Sequence, residues 1–285
     1  MKLLTWNIQW GLGLDGRVDL GRIVRTAQAM ADFDVLCVQE VADNFPGLDG
    51  NDERDQFAEL GKLLPRYTRL QGYGVDVSGG GGRRRRFGNA IFSRYPVHSV
   101  RRHALPWPAE PANKTMPRMA LEATVEAPFG PLRVTTTHLE YYSDEQRHAQ
   151  VRRLRNLHDE ACQRAMMSPR FQNTRSNVTF DPTPQTTAAI VCGDFNFPPD
   201  NSARHEMQSP LARDGPPLRD AWEQLNPGKP HPPTFCVHER SFSKAPFCCD
   251  FVFVSQDLAP RLRAISVDVA TQDSDHQPVL LELED

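Results

Sequence analysis

Val191-Cys192-Gly193-Asp194-Phe195-Asn196 is the stretch from which the rest of this chain can be read. Ahead of it, Thr187 to Cys192 is an apolar run of the length of a buried strand. Gly193 allows a sharp turn of the backbone, and Pro198-Pro199 forbids continued ladder pairing. A buried strand therefore carries a carboxylate, Asp194, and a carboxamide, Asn196, to its C-terminal rim. Residues two apart at a strand end can face the same way. A carboxylate there can accept a proton or bind a hard cation; an amide can orient a water or a phosphoryl oxygen. Asp and Asn also simply make turns after strands. That plainer reading gives way because four further stretches share the design.

Towards the N-terminus, Lys2 to Ile8 reads as a strand that delivers Asn7 to its end. Asp19 is placed to cap a helix whose apolar stripe is Leu20, Ile23, Val24, Ala27 and Ala31. Asp34 to Glu40 is a second strand-length apolar run, ending in a carboxylate. If the two strands are parallel, both ends lie on one edge. Phe57, Leu60 and Leu64 predict a second helix, stopped by Pro65. Gly72 to Gly82 reads as a mobile glycine-rich loop. The run Arg83 to Arg86 that follows is either a solvated charge run or a phosphate-contacting loop. It abuts a strand, Phe87 to Phe92, that contains Asn89.

Met119 to Glu126 alternates as a half-buried strand does. Pro128 to Pro131 closes a hairpin onto Leu132 to His138, a strand with an imidazole at its end. A long polar helix is expected from Asp144 to about Met167, with Val151, Leu154, Leu157 and Ala161 buried. Residues 168–187 read as an exposed excursion. Asn201 to Gln208 and Leu218 to Trp222 read as short helical pieces, and His231 and His238 as surface histidines. Further on, Cys249 to Val254 is a strand with Asp250 at its start, and Leu262 to Val269 is another. Ser274-Asp275-His276-Gln277-Pro278 then sets an acid beside an imidazole just ahead of the core strand Val279 to Leu281.

With 285 residues, no linker-like stretch and no internal repeat, the chain reads as a single domain, 1–285. A net charge of -3 argues against a general electrostatic grip on nucleic acid and leaves room for a local basic groove. The six cysteines include Cys37 and Cys192 inside apolar strands, which suits reduced thiols and a cytoplasmic setting. Met1-Lys2 leads directly into a strand, so no signal peptide is expected, and no apolar run is long enough to span a membrane. A monomer is expected.

The polar groups at strand ends are Asn7, Glu40, His138, Asp194, Asn196, Asp250, Asp275 and His276. They are spread over the whole chain, so the fold must assemble them. The donor set is mainly oxygen, which suits Mg²⁺ or Mn²⁺ rather than structural zinc. Two histidines beside carboxylates suit general acid–base work and stabilisation of a charged transition state. Together they point to metal-assisted hydrolysis of a phosphate ester.

In this arrangement the chain resembles the endonuclease/exonuclease/phosphatase family. The matching pieces, in order, are Thr5-Trp6-Asn7-Ile8, Val38-Gln39-Glu40, Gly88-Asn89-Ala90-Ile91 with Ser93-Arg94, Thr137-His138-Leu139-Glu140, Gly193-Asp194-Phe195-Asn196, Asp250-Phe251-Val252-Phe253-Val254 and Ser274-Asp275-His276-Gln277-Pro278. The resemblance implies a four-layer α-β-β-α sandwich of the α/β class, with two mixed sheets packed face to face and the site at one rim. It implies Glu40 as the main Mg²⁺ ligand with Asn7, and Asp275 beside the metal. It implies Asp194 as the group that positions or deprotonates the attacking water, and Asn196 as holding that water or a phosphate oxygen. His276 would contact the scissile phosphate, oriented by Asp250, and His138 would donate to a non-bridging oxygen. Arg118, Tyr141, Asn89 and Arg86 count as candidate substrate contacts. The leading expectation is a Mg²⁺-dependent phosphodiesterase, a nuclease acting on DNA. The alternatives are a phosphomonoesterase or a phospholipid-type phosphodiesterase on the same fold, and a catalytically silent binding module. The last is disfavoured by the presence of every acid and histidine the chemistry needs.

Overall fold

The computed structural model describes residues 1–167, 179 and 181–285. Among them, twelve strands form two mixed six-stranded sheets. The first holds β1 (Lys2–Asn7), β2 (Val35–Asp43), β3 (Thr68–Gly80), β4 (Arg83–Ser93), β11 (Leu262–Val267) and β12 (Val279–Leu283), in the order β11-β12-β1-β2-β4-β3. The second holds β5 (Val97–Ala104), β6 (Met119–Ala127), β7 (Gly130–His138), β8 (Ala189–Asp194), β9 (Leu218–Asp220) and β10 (Asp250–Ser255), in the order β5-β6-β7-β8-β10-β9. Apolar side chains from both inner faces, among them Leu3, Cys37, Ile91, Leu121, Val134 and Cys192, fill the space between the sheets. Helices α1 (Leu20–Met30) and α2 (Gln56–Leu63) cover the outside of the first sheet. Helices α3 (Asp144–Met166) and α4 (Ser202–Met207) cover the second, and a short α5 (Ala221–Leu225) follows β9. The result is the expected α-β-β-α sandwich.

The topology explains why distant residues meet. β1 and β2 run parallel, so Asn7 lies opposite Gln39 and both strands end on one edge. β7 and β8 are also parallel, with His138 opposite Asp194. β10 runs antiparallel to β8, which puts its first residue, Asp250, opposite Asp194. β12 is antiparallel to β1 and starts with Val279 opposite Thr5, so the Ser274–His276 loop ahead of it falls on the same rim. Between the sheets, Gln39 Nε2 donates to Thr5 Oγ1 at 3.1 Å and to Thr136 Oγ1 at 2.7 Å, tying the two layers together just beneath that rim.

Several local expectations are corrected. Gly72 to Gly82 is not a loop: most of it lies in β3, which pairs with β4 along its length. Gly72 and Gly74 within it, and Gly88 opposite them in β4, serve close packing. A Cβ on Gly88 would lie 2.0 Å from the carbonyl oxygen of Gly72, and one on Gly74 would lie 2.5 Å from that of Pro117. Arg83 to Arg86 is the start of β4 rather than a loop. Met119 to Glu126 is buried on both faces. The outward Glu122 is taken up by Arg133 and Arg101, at 3.4 and 3.0 Å. Leu218 to Asp220 is a strand paired to β10, and only from Ala221 does the chain turn helical. The His231 side chain is not on the surface; it is turned inward against Asp220, its Nε2 2.8 Å from Oδ2. The excursion at 168–187 falls largely outside the described residues. All six cysteines are free thiols, and no described helix is long and apolar enough to cross a membrane.

Candidate active site

The rim is built from backbone that ordinary strands do not use. Between Val38 and Val41 the β2–β4 register shifts, and Glu40 sits in this bulge with φ of 61°. A bulge re-aims a side chain, and Glu40 lines the cavity at the rim. Six non-glycine residues among those described have positive φ, and four of them, Gln9, Trp10, Glu40 and Asn196, line that one cavity. Such strain persists only where surrounding structure imposes it, and it clusters at functional sites. Gly193 is required for a steric reason as well. Its φ is 133°, and a Cβ there would lie 2.0 Å from the Thr137 carbonyl oxygen.

Asp194 is the hub. Its Oδ2 accepts from Asn7 Nδ2 at 3.0 Å, with His138 Nε2 at 3.4 Å and His276 Nε2 at 3.6 Å. Its Oδ1 accepts from the Asn196 backbone N–H at 2.9 Å. Asn7 Nδ2 also donates to Glu40 Oε1 at 3.1 Å, so one carboxamide bridges carboxylates from the two sheets. His276 Nδ1 pairs with Asp250 Oδ2 at 2.9 Å. The imidazole is fixed further by a Trp6 Nε1–H bond to the His276 carbonyl at 2.9 Å and by the Phe235 ring 4.5 Å away. Asn196 Nδ2 is spent on the Leu139 carbonyl at 2.9 Å, which leaves its Oδ1 as an acceptor for water.

These surroundings separate the two histidines. At His276 burial opposes the charge, but Asp250 and Asp194 outweigh it and hold the imidazole protonated well above its usual range. Burial, together with the neighbouring Arg118 and His276, pushes His138 far below that range, so it is neutral. Burial raises Asp194 to about 6, against the pull of His276. Asp275 is likewise raised to about 6 by burial, with Glu40 adding to the rise. Glu40 itself is raised, again chiefly by burial. One charged and one neutral imidazole around a carboxylate poised near neutrality is a division of acid and base roles.

Three neighbouring carboxylates, Asp194 buried and Glu40 and Asp275 half-buried, fit a hard divalent cation, which would relieve their repulsion. Glu40, Asp194 and Asp275 are the groups that would hold it, with Asn7 beside them. The tightest ligand group among the described residues is a different one, Asp194, Cys249 and His276, with donor atoms within 4.8 Å of one another. Cys249 is a poor partner for such a cation. Burial and the carboxylates Asp250 and Asp194 drive its thiol well above the usual range, so it stays protonated, and His276 is already committed to Asp250.

The rim opens into a cavity of about 500 Å³. Of the sequence-predicted residues, Glu40, Arg118, His138, Tyr141, Asp194, Asn196, Asp275 and His276 line it. Asn7 and Asp250 lie directly behind. Arg118 pairs with Glu140 at 3.3 Å, and its buried Nη1 has no partner among the described residues. Asn89 and Arg86 are not among the lining residues. The Asn89 amide donates to the Met119 carbonyl at 3.4 Å. Arg86 is held by Asp43 at 3.4 Å and Asp76 at 3.6 Å and lies over the Tyr73 ring. Arg83 and Arg84 are paired as well, with Glu53 and Asp76. Six aromatic residues that were not among the candidates, Trp10, Phe45, Phe87, Tyr142, Phe235 and Phe242, also line the cavity. A usable signal was there for three of them: Trp10, Phe45 and Tyr142 each follow a rim residue by only a few positions.

Two packed sheets carrying a buried carboxylate–imidazole rim at their strand ends define a phosphoester hydrolase scaffold. The family described as Endonuclease/Exonuclease/phosphatase family matches residues 4–276, and the chain belongs to it. The chain is therefore a phosphoester hydrolase. Among solved structures, an endonuclease/exonuclease/phosphatase from Beutenbergia cavernae is similar at 24% identity and a TM-score of 0.67, over 99% of this chain and 70% of that one. A mannosyl-6-phosphatase from Bacteroides thetaiotaomicron is similar at 18% identity and a TM-score of 0.66, over the whole of both chains. The human Nocturnin catalytic domain is similar at 18% identity and a TM-score of 0.64, over 100% of this chain and 93% of that one. No curated protein matches the sequence.

Proposed function

We propose that the protein is a divalent-metal-dependent phosphodiesterase that uses Mg²⁺ or Mn²⁺. The observation that carries this reading is the hub at Asp194, with neutral His138, charged His276 and the Asn7 amide all on one buried carboxylate. The bound cation would supply Lewis acidity at the phosphoryl oxygens. Asp194, as a carboxylate, takes the proton of the attacking water. The Oδ1 of Asn196 accepts a hydrogen bond from that water. His276, charged and braced by Asp250, donates from Nε2 to a non-bridging oxygen, where charge builds in the transition state. His138 and the free Nη1 of Arg118 supply further donors to the phosphoryl group.

DNA is the first polymer to test. Stacking on the aromatic lining supports a nucleic-acid reading, since bases stack on aromatic rings without sequence preference. A monoester is the second reading, supported by the mannosyl-6-phosphatase that shares the fold. Turnover with Mg²⁺, and with chelator as control, separates them. The panel is supercoiled plasmid, short single-stranded DNA, bis-p-nitrophenyl phosphate and p-nitrophenyl phosphate. Chelator-sensitive cleavage of a diester supports the proposal. Cleavage of the monoester alone supports the second reading, and turnover of no phosphate ester overturns both.

A further inference from the structure

We propose that the cavity selects a phosphoester bearing one planar aromatic group beside the scissile phosphorus, and not the interior of a nucleic-acid duplex. This rests on the phosphodiesterase reading above and names the substrate class of the same site.

The first observation is a ladder of rings that runs from the cavity mouth to the catalytic imidazole. Phe242, 55% exposed at the rim, lies 6.1 Å from Phe235, and Phe235 lies 4.5 Å from His276. The apolar wall therefore ends at the group proposed to touch the phosphate. Two further ring pairs and Trp10 complete the aromatic lining. Tyr141 and Tyr142 stand edge to face at 4.8 Å, and Phe45 and Phe87 at 6.2 Å. Tyr142 is 44% exposed. Rings left exposed around a polar centre are the ordinary mark of a ligand site.

The second observation is charge. Besides the His276 imidazolium, the cationic side chains in the lining, among the described residues, are Lys114 and Arg118. Arg118 is tied to Glu140, and Lys114 lies over the Tyr142 ring at 4.9 Å. A duplex or a long strand needs a track of cations for successive phosphates. Three of the four arginines in the run that could have supplied it are already paired, Arg83 with Glu53, Arg84 with Asp76, and Arg86 with Asp43 and Asp76, which leaves Arg85 alone exposed and uncommitted among the described residues. The third is size. A cavity of about 500 Å³ takes a phosphate with a ring system of one or two cycles. The same flat group could be a nucleobase on a nucleotide or a simple aryl ester, and the test distinguishes these sources.

Isothermal titration in Ca²⁺ compares three probes: methylphosphonate, phenylphosphonate and thymidine 5′-monophosphate. At least one ring-bearing probe is expected to bind about tenfold more tightly than methylphosphonate, equivalent to ~1.4 kcal/mol. Tight binding of both shows that the ring alone is read. Preference for the nucleotide points to a nucleobase, and preference for the phenyl compound points to an aryl ester. In the Tyr142→Ala/Phe242→Ala double variant, which removes two exposed rings, and in Trp10→Ala, the preference should shrink towards one. Equal affinity for all three probes overturns the proposal, as does a preference untouched in both variants. Turnover of bis-p-nitrophenyl phosphate by the same preparation in Mn²⁺ reports separately on the phosphodiesterase reading.

Discussion

Asp250→Asn isolates the charge behind His276 from its orientation. The Nδ1–Oδ2 distance is 2.9 Å. Two unit charges at that separation attract by roughly 6 kcal/mol at an effective dielectric of about 20. Desolvation of a buried pair takes back several kcal/mol. About 3 kcal/mol then remains in favour of the charged imidazole. An asparagine can still accept from Nδ1–H, so the tautomer is kept and the hydrogen bond survives. If the charged imidazole stabilises the transition state, kcat on bis-p-nitrophenyl phosphate should fall by about 10²-fold with KM little changed. The histidine titration read by NMR should move down in parallel, while the melting temperature stays close to that of the parent protein. A kcat within about threefold of the parent, with His276 still protonated at neutral pH, would refute the role given to this pair.

Three further outcomes follow from the same structure. Gly193→Ala should destabilise the protein by more than ~3 kcal/mol in urea unfolding, because the added Cβ meets the Thr137 carbonyl at 2.0 Å with φ at 133°. His158 is neutral: burial and Arg133 lower it to about 4, with Nδ1 accepting from Arg133 at 2.7 Å and Nε2 donating to the Pro216 carbonyl at 2.8 Å. Its folded value lies below the unfolded one, so the folded state binds fewer protons. Its contribution, about 3 kcal/mol, is complete above pH 6.5 and lost as the pH falls from 6.5 towards 4, and His158→Gln should flatten that part of the stability curve. Replacing Arg83, Arg84 and Arg86 together by alanine should leave kcat and KM within about twofold, since their charges are met by acids outside the cavity lining; a large rise in KM would restore them as phosphate contacts.

The rim was legible because its code is local. An apolar run of strand length followed by Asn, Glu, His or Asp recurs at Asn7, Glu40, His138 and Asp194, and two parallel pairings are enough to bring those ends together. The arginine run and the glycines before it misled for a physical reason. Glycine weakens a strand in isolation, but here its missing side chain lets β3 and β4 lie against each other and against Pro117. Leu218 to Asp220 became a strand only because β10 offers it an edge. Nothing in the local pattern marks the bulge that swings Glu40 inward. The aromatic lining was hidden for a similar reason: Phe235 and Phe242 come from a loop whose path is set by contacts with His276 and Phe247 rather than by any periodicity. His231 looked like surface because its partner, Asp220, is held in place by a strand that the pattern did not reveal.

If Glu40, Asp194 and Asp275 hold a divalent cation next to His276, turnover needs that cation. The most direct measurement is electron paramagnetic resonance of Mn²⁺ titrated into the protein, with phosphodiester turnover followed in the same samples. A metal-assisted site predicts a bound Mn²⁺ whose occupancy tracks the rate. In Glu40→Gln it predicts affinity weakened by at least about tenfold, with the rate recovering only at higher Mn²⁺. Turnover that persists in chelator, or Mn²⁺ bound equally well by Glu40→Gln, would contradict it.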